Sequence, residues 1–329
     1  MPSLKAIRKR IVSVQSTQKI TRAMKMVAGA RLNKAQQRIT ELRPYAVKTH
    51  SVLASITVDP KATAEAEESA LAVVGDAANE LAESVGWEDK PAHPLLVKRA
   101  EKRVLLLVLT SDRGLCGAFN TNINKRAERE WRQRTAEGQD VQMMVVGRKG
   151  RDYMTRRGAP VLEFVANVWD KLGHDTAKVI GAKVLAPFLT KNTEERVDAI
   201  YIIYSEFKSA MTQVVTVERL LPVAPAAAAT KPVEEVEGGT WVGSEFIFEP
   251  TREALLTQLM PMYLDISILR ALYESQASEL GARMTAMDAA TKNAKEMIST
   301  LTLQYNKARQ AAITKELMEI IGGSEAIKE

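Results

Sequence analysis

The two ends of the chain share one pattern, in which apolar residues recur at alternating spacings of three and four. At the N-terminal end the pattern runs from Leu4 to Thr49, and ten of its fourteen positions are apolar. Such a spacing over many turns is typical of the seam of a coiled coil. It predicts one helix over residues 4–58, roughly 80 Å long at 1.5 Å per residue. A polar gap over residues 18–25 interrupts the seam.

The C-terminal pattern runs from Leu255 to Met318, and fifteen of its nineteen positions are apolar. Pro261 predicts a kink or a restart near the beginning of this helix, and the two glycines at 322–323 predict its end. From residue 262 to residue 321 the helix would be roughly 90 Å long. Two such long helices exceed what a globular domain needs, so we expect them to pair antiparallel. Gly29 and Gly281 lie inside them and predict a close approach of the two backbones.

The middle of the chain alternates between strand and helix patterns. Helices are predicted at 122–137, 148–157 and 174–189. Strands are predicted at 104–110, 141–147, 161–165, 198–205 and 213–220. Alternation of this kind predicts an α/β domain with a mainly parallel sheet.

These patterns divide the chain into five segments. Residues 1–58 and 251–329 are the two long helices, and residues 101–221 are the α/β domain. Residues 59–100 form an acidic, alanine-rich insertion with a short amphipathic helix expected near 71–85. Residues 222–250 are rich in Pro, Ala and Gly, and we expect a flexible loop there.

Charge is distributed very unevenly along the chain, whose formal net charge is +6. Residues 1–50 contain twelve Lys and Arg against the single acid Glu41, whereas residues 62–89 contain eight acids and no base. Such asymmetry is typical of surfaces that bind charged partners. The basic first helix is therefore compatible with a solvated face, a negatively charged partner protein, nucleic acid or an anionic membrane surface. Its charges lie all round the helix and no aromatic residue precedes Tyr45, which argues against nucleic acid.

Composition excludes several other classes of protein. The single cysteine excludes an intramolecular disulfide and favours a reducing compartment. No apolar run approaches the roughly 18–20 residues that a membrane span needs. The Arg-rich, acid-poor first forty residues would also suit a mitochondrial transit peptide.

The stretch TSDRGLCGAFN, residues 110–120, is the strongest candidate for chemistry because it follows an apolar strand and contains two glycines. A phosphate-binding P-loop needs a lysine directly after its last glycine, but Ala118 follows Gly117 here. The dinucleotide fingerprint is also missing, so a tight turn between strand and helix is the better interpretation. Cys116 would need a base to act as a nucleophile, and we expect a small buried thiol instead. We therefore predict no catalytic residue, no cofactor and no metal.

Three separated segments together resemble the γ subunit of F-type ATP synthases. They are SVQSTQKITRAMKMVAGARL at 13–32, TSDRGLCGAFN at 110–120 and YNKARQAAITKELMEIIGGSEAI at 305–327. Ser324 departs from the alanine usual in the family. Because the match includes residues 13–32, we interpret the N-terminal end as part of the mature protein and not as a transit peptide.

The resemblance implies an antiparallel two-helix shaft that carries a Rossmann-like α/β domain at its base. It also implies a non-catalytic rotor that couples rotation of the membrane c-ring to ATP synthesis in the β subunits, with hydrolysis as the reverse. The implied partners are the α, β and ε subunits and the c-ring, without nucleic acid. The implied location is the cytoplasmic face of the bacterial inner membrane, held peripherally without a membrane span.

The resemblance also implies roles for individual residues. The residues expected to contact the β subunit are Met24, Arg283, Arg309, Gln310 and Thr314. Ile320 and Ile321 are expected to turn in an apolar bearing. Phe246, Phe248 and Glu249 are expected in the foot that meets the c-ring. Since Arg283 occupies a seam position, its side chain must either reach outward or lie where the seam opens.

Overall fold

The computed structural model describes residues 3–57, 94–190, 192, 195–223 and 252–328. Within these ranges the chain begins and ends with a long helix, and the α/β domain lies between the two helices in the sequence. The elements, in chain order, are α1 (Leu4–Thr57), β1 (Arg103–Leu109), α2 (Phe119–Ala136), β2 (Asp140–Val146), α3 (Arg148–Arg156), β3 (Val161–Val165), α4 (His174–Leu189), β4 (Ala199–Phe207), β5 (Gln213–Leu221) and α5 (Arg252–Lys328). The α/β class with a terminal coiled coil is therefore confirmed. The amphipathic helix expected near residues 71–85 lies outside the described residues.

Helices α1 and α5 pair antiparallel, as the two seam patterns predict. Ile7, Ala28, Leu32 and Ala35 of α1 are buried, and Leu32 and Ala35 pack against α5. Near the middle of α1, Thr21 faces Thr291, with 2.8 Å between their hydroxyl oxygens. In this register the start of α1 lies level with about residue 308 of α5. The last part of α5 therefore extends beyond α1 as a single helix.

The polar gap in the α1 seam is matched by polar residues on α5. Thr21 is 8% exposed and shares a hydrogen bond with Thr291, whose hydroxyl also donates to the Met287 carbonyl. One turn further along α1, Lys25 Nζ lies 2.6 Å from Asp288 Oδ1. Polar groups that leave water are tolerated when they find hydrogen-bond partners, which these do.

The prolines and glycines of the two shaft helices do not end them. Pro44 lies inside α1, and Pro261 lies inside α5 between the fully buried residues Met260 and Leu264. Packing on both sides of Pro261 outweighs the roughly 3 kcal/mol that a proline costs inside a helix. The end predicted at residues 322–323 is wrong, because α5 continues to Lys328. Glycine adopts helical dihedral angles at a cost of only about 1 kcal/mol, so it permits a helix end without forcing one.

The strands form one five-stranded sheet in the order β3-β2-β1-β4-β5 within the described residues. Strand β1 lies at the centre and pairs parallel with β2 and β4, and β2 pairs parallel with β3. Strand β5 is antiparallel to β4. Except for Arg103, every residue of β1 is buried, which explains its continuous apolar run.

The base of α5 is part of the domain as well as part of the shaft. Leu264, Ile268 and Leu272 are fully buried in the cluster that contains the α4 residues Ile180 and Val184. Helices α2 and α3 cover the other face of the sheet. The seam pattern identified only the side of α5 that faces α1, and the side that faces the sheet was missed.

The expectation that Gly281 brings the two helices together is wrong. A side-chain carbon at Gly281 would meet Ala210 Cα at 3.3 Å and Phe207 Cε2 at 3.4 Å, so this glycine approaches the β4–β5 turn. Gly29 does face α5, but its nearest neighbour is the flexible end of Met284, at 3.4 Å.

Candidate functional site

The part of the shaft that projects from the domain exposes many apolar side chains. On α1, Val12 and Met26 are 59% and 63% exposed. On α5 the exposed apolar residues continue to the far end, where Ile320 is 72% exposed. Single exposed apolar residues are common, but a series of them along one rod indicates a surface that a partner covers.

The residues implied as β-subunit contacts lie in two regions of this rod. Met24 lies half-buried in the paired region. Arg309, Gln310 and Thr314 are exposed on the part of α5 beyond α1, where the Thr314 hydroxyl donates to the Gln310 carbonyl at 3.0 Å.

The two residues expected in the bearing lie near the described end of α5. Ile320 and Ile321 are 72% and 53% exposed. The foot residues Phe246, Phe248 and Glu249 lie outside the described residues.

Arg283 lies where the seam opens towards the α/β domain. Its side chain is only 14% exposed, and its Nη2 donates to Glu279 Oε1 at 2.6 Å. The same nitrogen donates to the carbonyl of Gly114 at 3.2 Å. Burial raises the pKa of Glu279, and the Arg283 guanidinium beside it acts in the opposite direction. Sequence reasoning missed Glu279, although its spacing of four residues from Arg283 is a signal for a helical ion pair.

The β1–α2 loop, residues 110–118, lies beside this pair and is held by several hydrogen bonds. The Ser111 hydroxyl donates to the Arg113 carbonyl at 2.6 Å, and the Asn120 amide donates to that hydroxyl at 2.9 Å. Gly117 has φ +55, and a side-chain carbon there would lie 3.7 Å from Ala286 of α5. Asp112 accepts hydrogen bonds from the backbone N–H groups of Arg148 and Asn167. The loop is thus a support for the shaft helix.

Cys116 is a buried thiol, as the sequence predicts. It is 2% exposed, and Asn120 Nδ2 lies 3.1 Å from its sulfur. Burial, followed by the nearby Glu279 carboxylate, raises the pKa of the thiol. A nucleophilic cysteine needs the opposite shift, because the thiolate is the reactive form.

The place where doubly wound sheets bind ligands is occupied by the shaft. Ligands bind such sheets at the carboxyl ends of the strands where the strand order reverses, which here lies between β1 and β4. Helix α5 crosses this position, since Ser278 donates to the Ser205 carbonyl at the end of β4 at 2.9 Å. The Glu279–Arg283 pair lies beside the loop that follows β1, since Arg283 donates to the Gly114 carbonyl. The fold therefore uses its usual ligand crevice to hold a helix.

Comparisons with known proteins identify this arrangement. The family model described as ATP synthase matches residues 3–327. The ATP synthase gamma chain of Sorangium cellulosum (strain So ce56) is 66% identical over 331 residues, which cover 100% of both chains. The chain belongs to the ATP synthase gamma chain family. It is therefore a gamma subunit of ATP synthase, and the resemblance drawn from its three motifs is confirmed.

Two solved ATP synthase structures agree with the fold. A chain from the Tetrahymena thermophila mitochondrial ATP synthase central stalk and c-ring is 25% identical, with a TM-score of 0.55, over 82% of this chain and 99% of that one. A chain from the Euglena gracilis mitochondrial ATP synthase is 20% identical, with a TM-score of 0.62, over 98% of this chain and 94% of that one. This gamma subunit is thus a rotor subunit of the central stalk. None of its described helices is long and apolar enough to cross a membrane.

Proposed function

We propose that this gamma subunit is a non-catalytic shaft that transmits rotation between a membrane c-ring and the catalytic β subunits. Proton-driven turning of the ring then changes the contacts that each β subunit makes, which promotes ATP synthesis. Hydrolysis of ATP drives the same shaft in reverse. The observation that carries the proposal is the two-helix rod, which projects from the domain and exposes apolar side chains along its length.

The asymmetry of the rod explains how one shaft can act on three identical subunits. One side carries α1 with its many bases, and the other carries α5. Three identical β subunits around this rod cannot make the same contacts with it. Each therefore has a different contact free energy and populates a different conformation. A rotation of one third of a turn exchanges the three conformations.

The position of each residue along the rod decides which contact we assign to it. Met24 and Arg283 meet the β subunit near the base of the rod. Arg309, Gln310 and Thr314 contact it beyond the start of α1, where their exposed polar groups have no helix beside them. Ile320 and Ile321 turn in an apolar collar, where contacts are only weakly directional.

The remaining proposed partners are the α subunits, the c-ring and the ε subunit, which lie at the two ends of the rod. The shaft lies inside a hexamer of α and β subunits, and the foot at Phe246, Phe248 and Glu249 rests on the c-ring beside the ε subunit. This assembly keeps the gamma subunit at the cytoplasmic face of the bacterial inner membrane as a peripheral protein.

The test is a charge reversal on the exposed part of α5. Arg309→Glu should reduce the protons pumped per ATP hydrolysed by the complete ATP synthase roughly tenfold, because it reverses the charge at the proposed β-subunit contact. Lys125→Glu makes the same charge change on the exposed surface of α2 and should leave the ratio unchanged. Equal ratios in both variants would contradict the proposal.

The competing function is that of a coiled-coil adaptor, which would bind nucleic acid or an anionic membrane surface through the basic N-terminal helix. It predicts that the isolated chain binds DNA or anionic vesicles through residues 1–50, with an affinity that falls steeply as salt is raised. The rotor predicts instead that the chain co-purifies with α and β subunits in fixed proportion.

A further inference from the structure

The β1–α2 loop has no role in the proposed contacts, although it is one of the three motifs that characterise the chain. Its single thiol, Cys116, is buried. One of its contacts with the shaft is the Gly114 carbonyl, which accepts a hydrogen bond from Arg283 at 3.2 Å. The loop therefore reaches the same side chain that we assign to the β-subunit contact.

We propose that Glu279 is a positioning residue, which together with the Gly114 carbonyl orients the Arg283 guanidinium towards the β subunit. The inference rests on the proposed function, because it requires that Arg283 makes that contact. The two acceptors approach one guanidinium nitrogen from α5 and from the α/β domain. An arginine side chain has several rotatable bonds, and two fixed acceptors remove most of that freedom before the partner arrives.

Glu279 is suited to this task because it is buried and lies close to Arg283. It is 7% exposed, and the bond to Arg283 is short, 2.6 Å between Oε1 and Nη2. Charge-assisted hydrogen bonds of this kind are about twice as strong as neutral ones. Since the carboxylate is on the same helix as Arg283, it stays with the guanidinium when the shaft turns.

Part of the guanidinium remains available to a partner. Arginine has five N–H donors, and the described contacts of Arg283 all use one nitrogen, Nη2. The side chain also lines an open cavity of about 320 Å³ between α1 and the β1–α2 loop. Five cations line the same cavity, against the three acids Asp112, Asp170 and Glu279; the cations are Arg31, Lys34, Arg38, Arg113 and Arg283. An acidic side chain that enters it therefore meets a lining with more positive than negative groups.

The experiment measures protons pumped per ATP hydrolysed by the complete, membrane-reconstituted ATP synthase. Glu279→Gln keeps the shape but removes the charge, and it should lower this ratio about threefold to tenfold. Arg283→Ala should lower the ratio at least as much. The double variant should be no worse than Arg283→Ala alone, because Glu279 acts only through Arg283.

Ser278→Ala is the matched control. Ser278 is fully buried on the same turn of α5, and its hydroxyl donates to Ser205 at 2.9 Å without touching Arg283. Loss of this hydroxyl in Ser278→Ala should lower the melting temperature of the protein but leave the pumping ratio unchanged. If Glu279 were merely structural, both variants would lower stability and the pumping ratio in parallel, and the inference would be overturned.

A second variant tests orientation when Glu279→Gln does not assemble. Arg283→Lys keeps the positive charge but loses the planar group that both acceptors hold. It should lower the ratio nearly as far as Arg283→Ala, and a normal ratio would show that orientation is irrelevant.

The outcomes separate the two claims. A normal ratio in Glu279→Gln beside a low ratio in Arg283→Ala rejects the positioning role and leaves the proposed contact. The positioning role is also rejected if Glu279→Gln lowers the pumping ratio equally in the wild type and in the Arg283→Ala variant. A normal ratio in Arg283→Ala rejects the proposed contact of Arg283, and the positioning role is rejected with it.

Discussion

Thr21 of α1 and Thr291 of α5 face each other across the shaft, with 2.8 Å between their hydroxyl oxygens. The two residues are 270 positions apart in the chain, so the contact defines the register of the antiparallel pair. It lies in the polar gap of the seam, where apolar packing alone would allow the helices to slide.

A disulfide should form at this contact. The double variant Thr21→Cys/Thr291→Cys should crosslink under mild oxidation, because the two side chains already meet within reach of an S–S bond. A mobility shift on a non-reducing gel would measure it. Thr17→Cys/Thr291→Cys is the control, since the Thr17 hydroxyl is exposed and bonds to Ser13 of its own helix. Equal crosslinking of both pairs would contradict the register.

Sequence patterns predicted the shaft because a seam that persists over many turns has few other uses. They could not predict that Thr21 meets Thr291 or that Lys25 meets Asp288, because register depends on where the two helices start on the domain. They also missed the buried side of α5, at Leu264 and neighbouring residues, because a helix that packs on two sides loses its polar face.

The candidate contacts show a different limit. Met24 and Thr314 could be named only through the resemblance, since nothing in their type or spacing distinguishes them from other helix residues. The resemblance did not point to Glu279. Its proposed role depends on burial and on the carbonyl of Gly114, which reaches Arg283 only when the α/β domain packs against α5.

Two glycine substitutions should have opposite effects on stability. Gly150→Ala places a carbon 2.6 Å from Thr110 Oγ1 and 2.7 Å from Val145 Cγ1, so it should lower the free energy of unfolding by about 1–3 kcal/mol. Gly29→Ala meets only the flexible Met284 sulfur at 3.4 Å, and it should raise stability by up to about 1 kcal/mol. Urea unfolding of the two variants would measure both, and a stable Gly150→Ala protein would contradict the packing of α3 against Thr110 and β2.

Stability should fall between about pH 5 and pH 7 because of Glu274. Burial, followed by the nearby Glu206 and Glu218 carboxylates, raises its pKa to about 7, although Arg270 and Lys208 act in the opposite direction. The folded state therefore holds this proton at a pH where the unfolded chain has released it. This contribution is fully present below the unfolded pKa and is lost as pH rises through the folded one.

Glu274→Gln cannot release a proton, so it should not lose stability over this range. Urea midpoints of the two proteins should therefore diverge as pH rises, with the wild type losing about 1–2 kcal/mol relative to the variant. Glu319→Gln is a suitable control, because Glu319 is an exposed carboxylate on the same helix. A constant difference between wild type and Glu274→Gln from pH 5 to pH 7 would contradict the assigned pKa.

Cys116 should react slowly with thiol reagents and should be dispensable. Its sulfur is buried under α5 and its pKa is raised, so both access and thiolate formation are unfavourable. A chromogenic disulfide reagent should label the thiol slowly in the folded protein and rapidly in urea.

Cys116→Ala removes only a small buried group, and the assembled complex should keep its normal ratio of protons pumped to ATP hydrolysed. An enzyme that used the β1–α2 loop for covalent chemistry would instead lose turnover in this variant, while Leu115→Ala, which trims the exposed neighbour, would keep it.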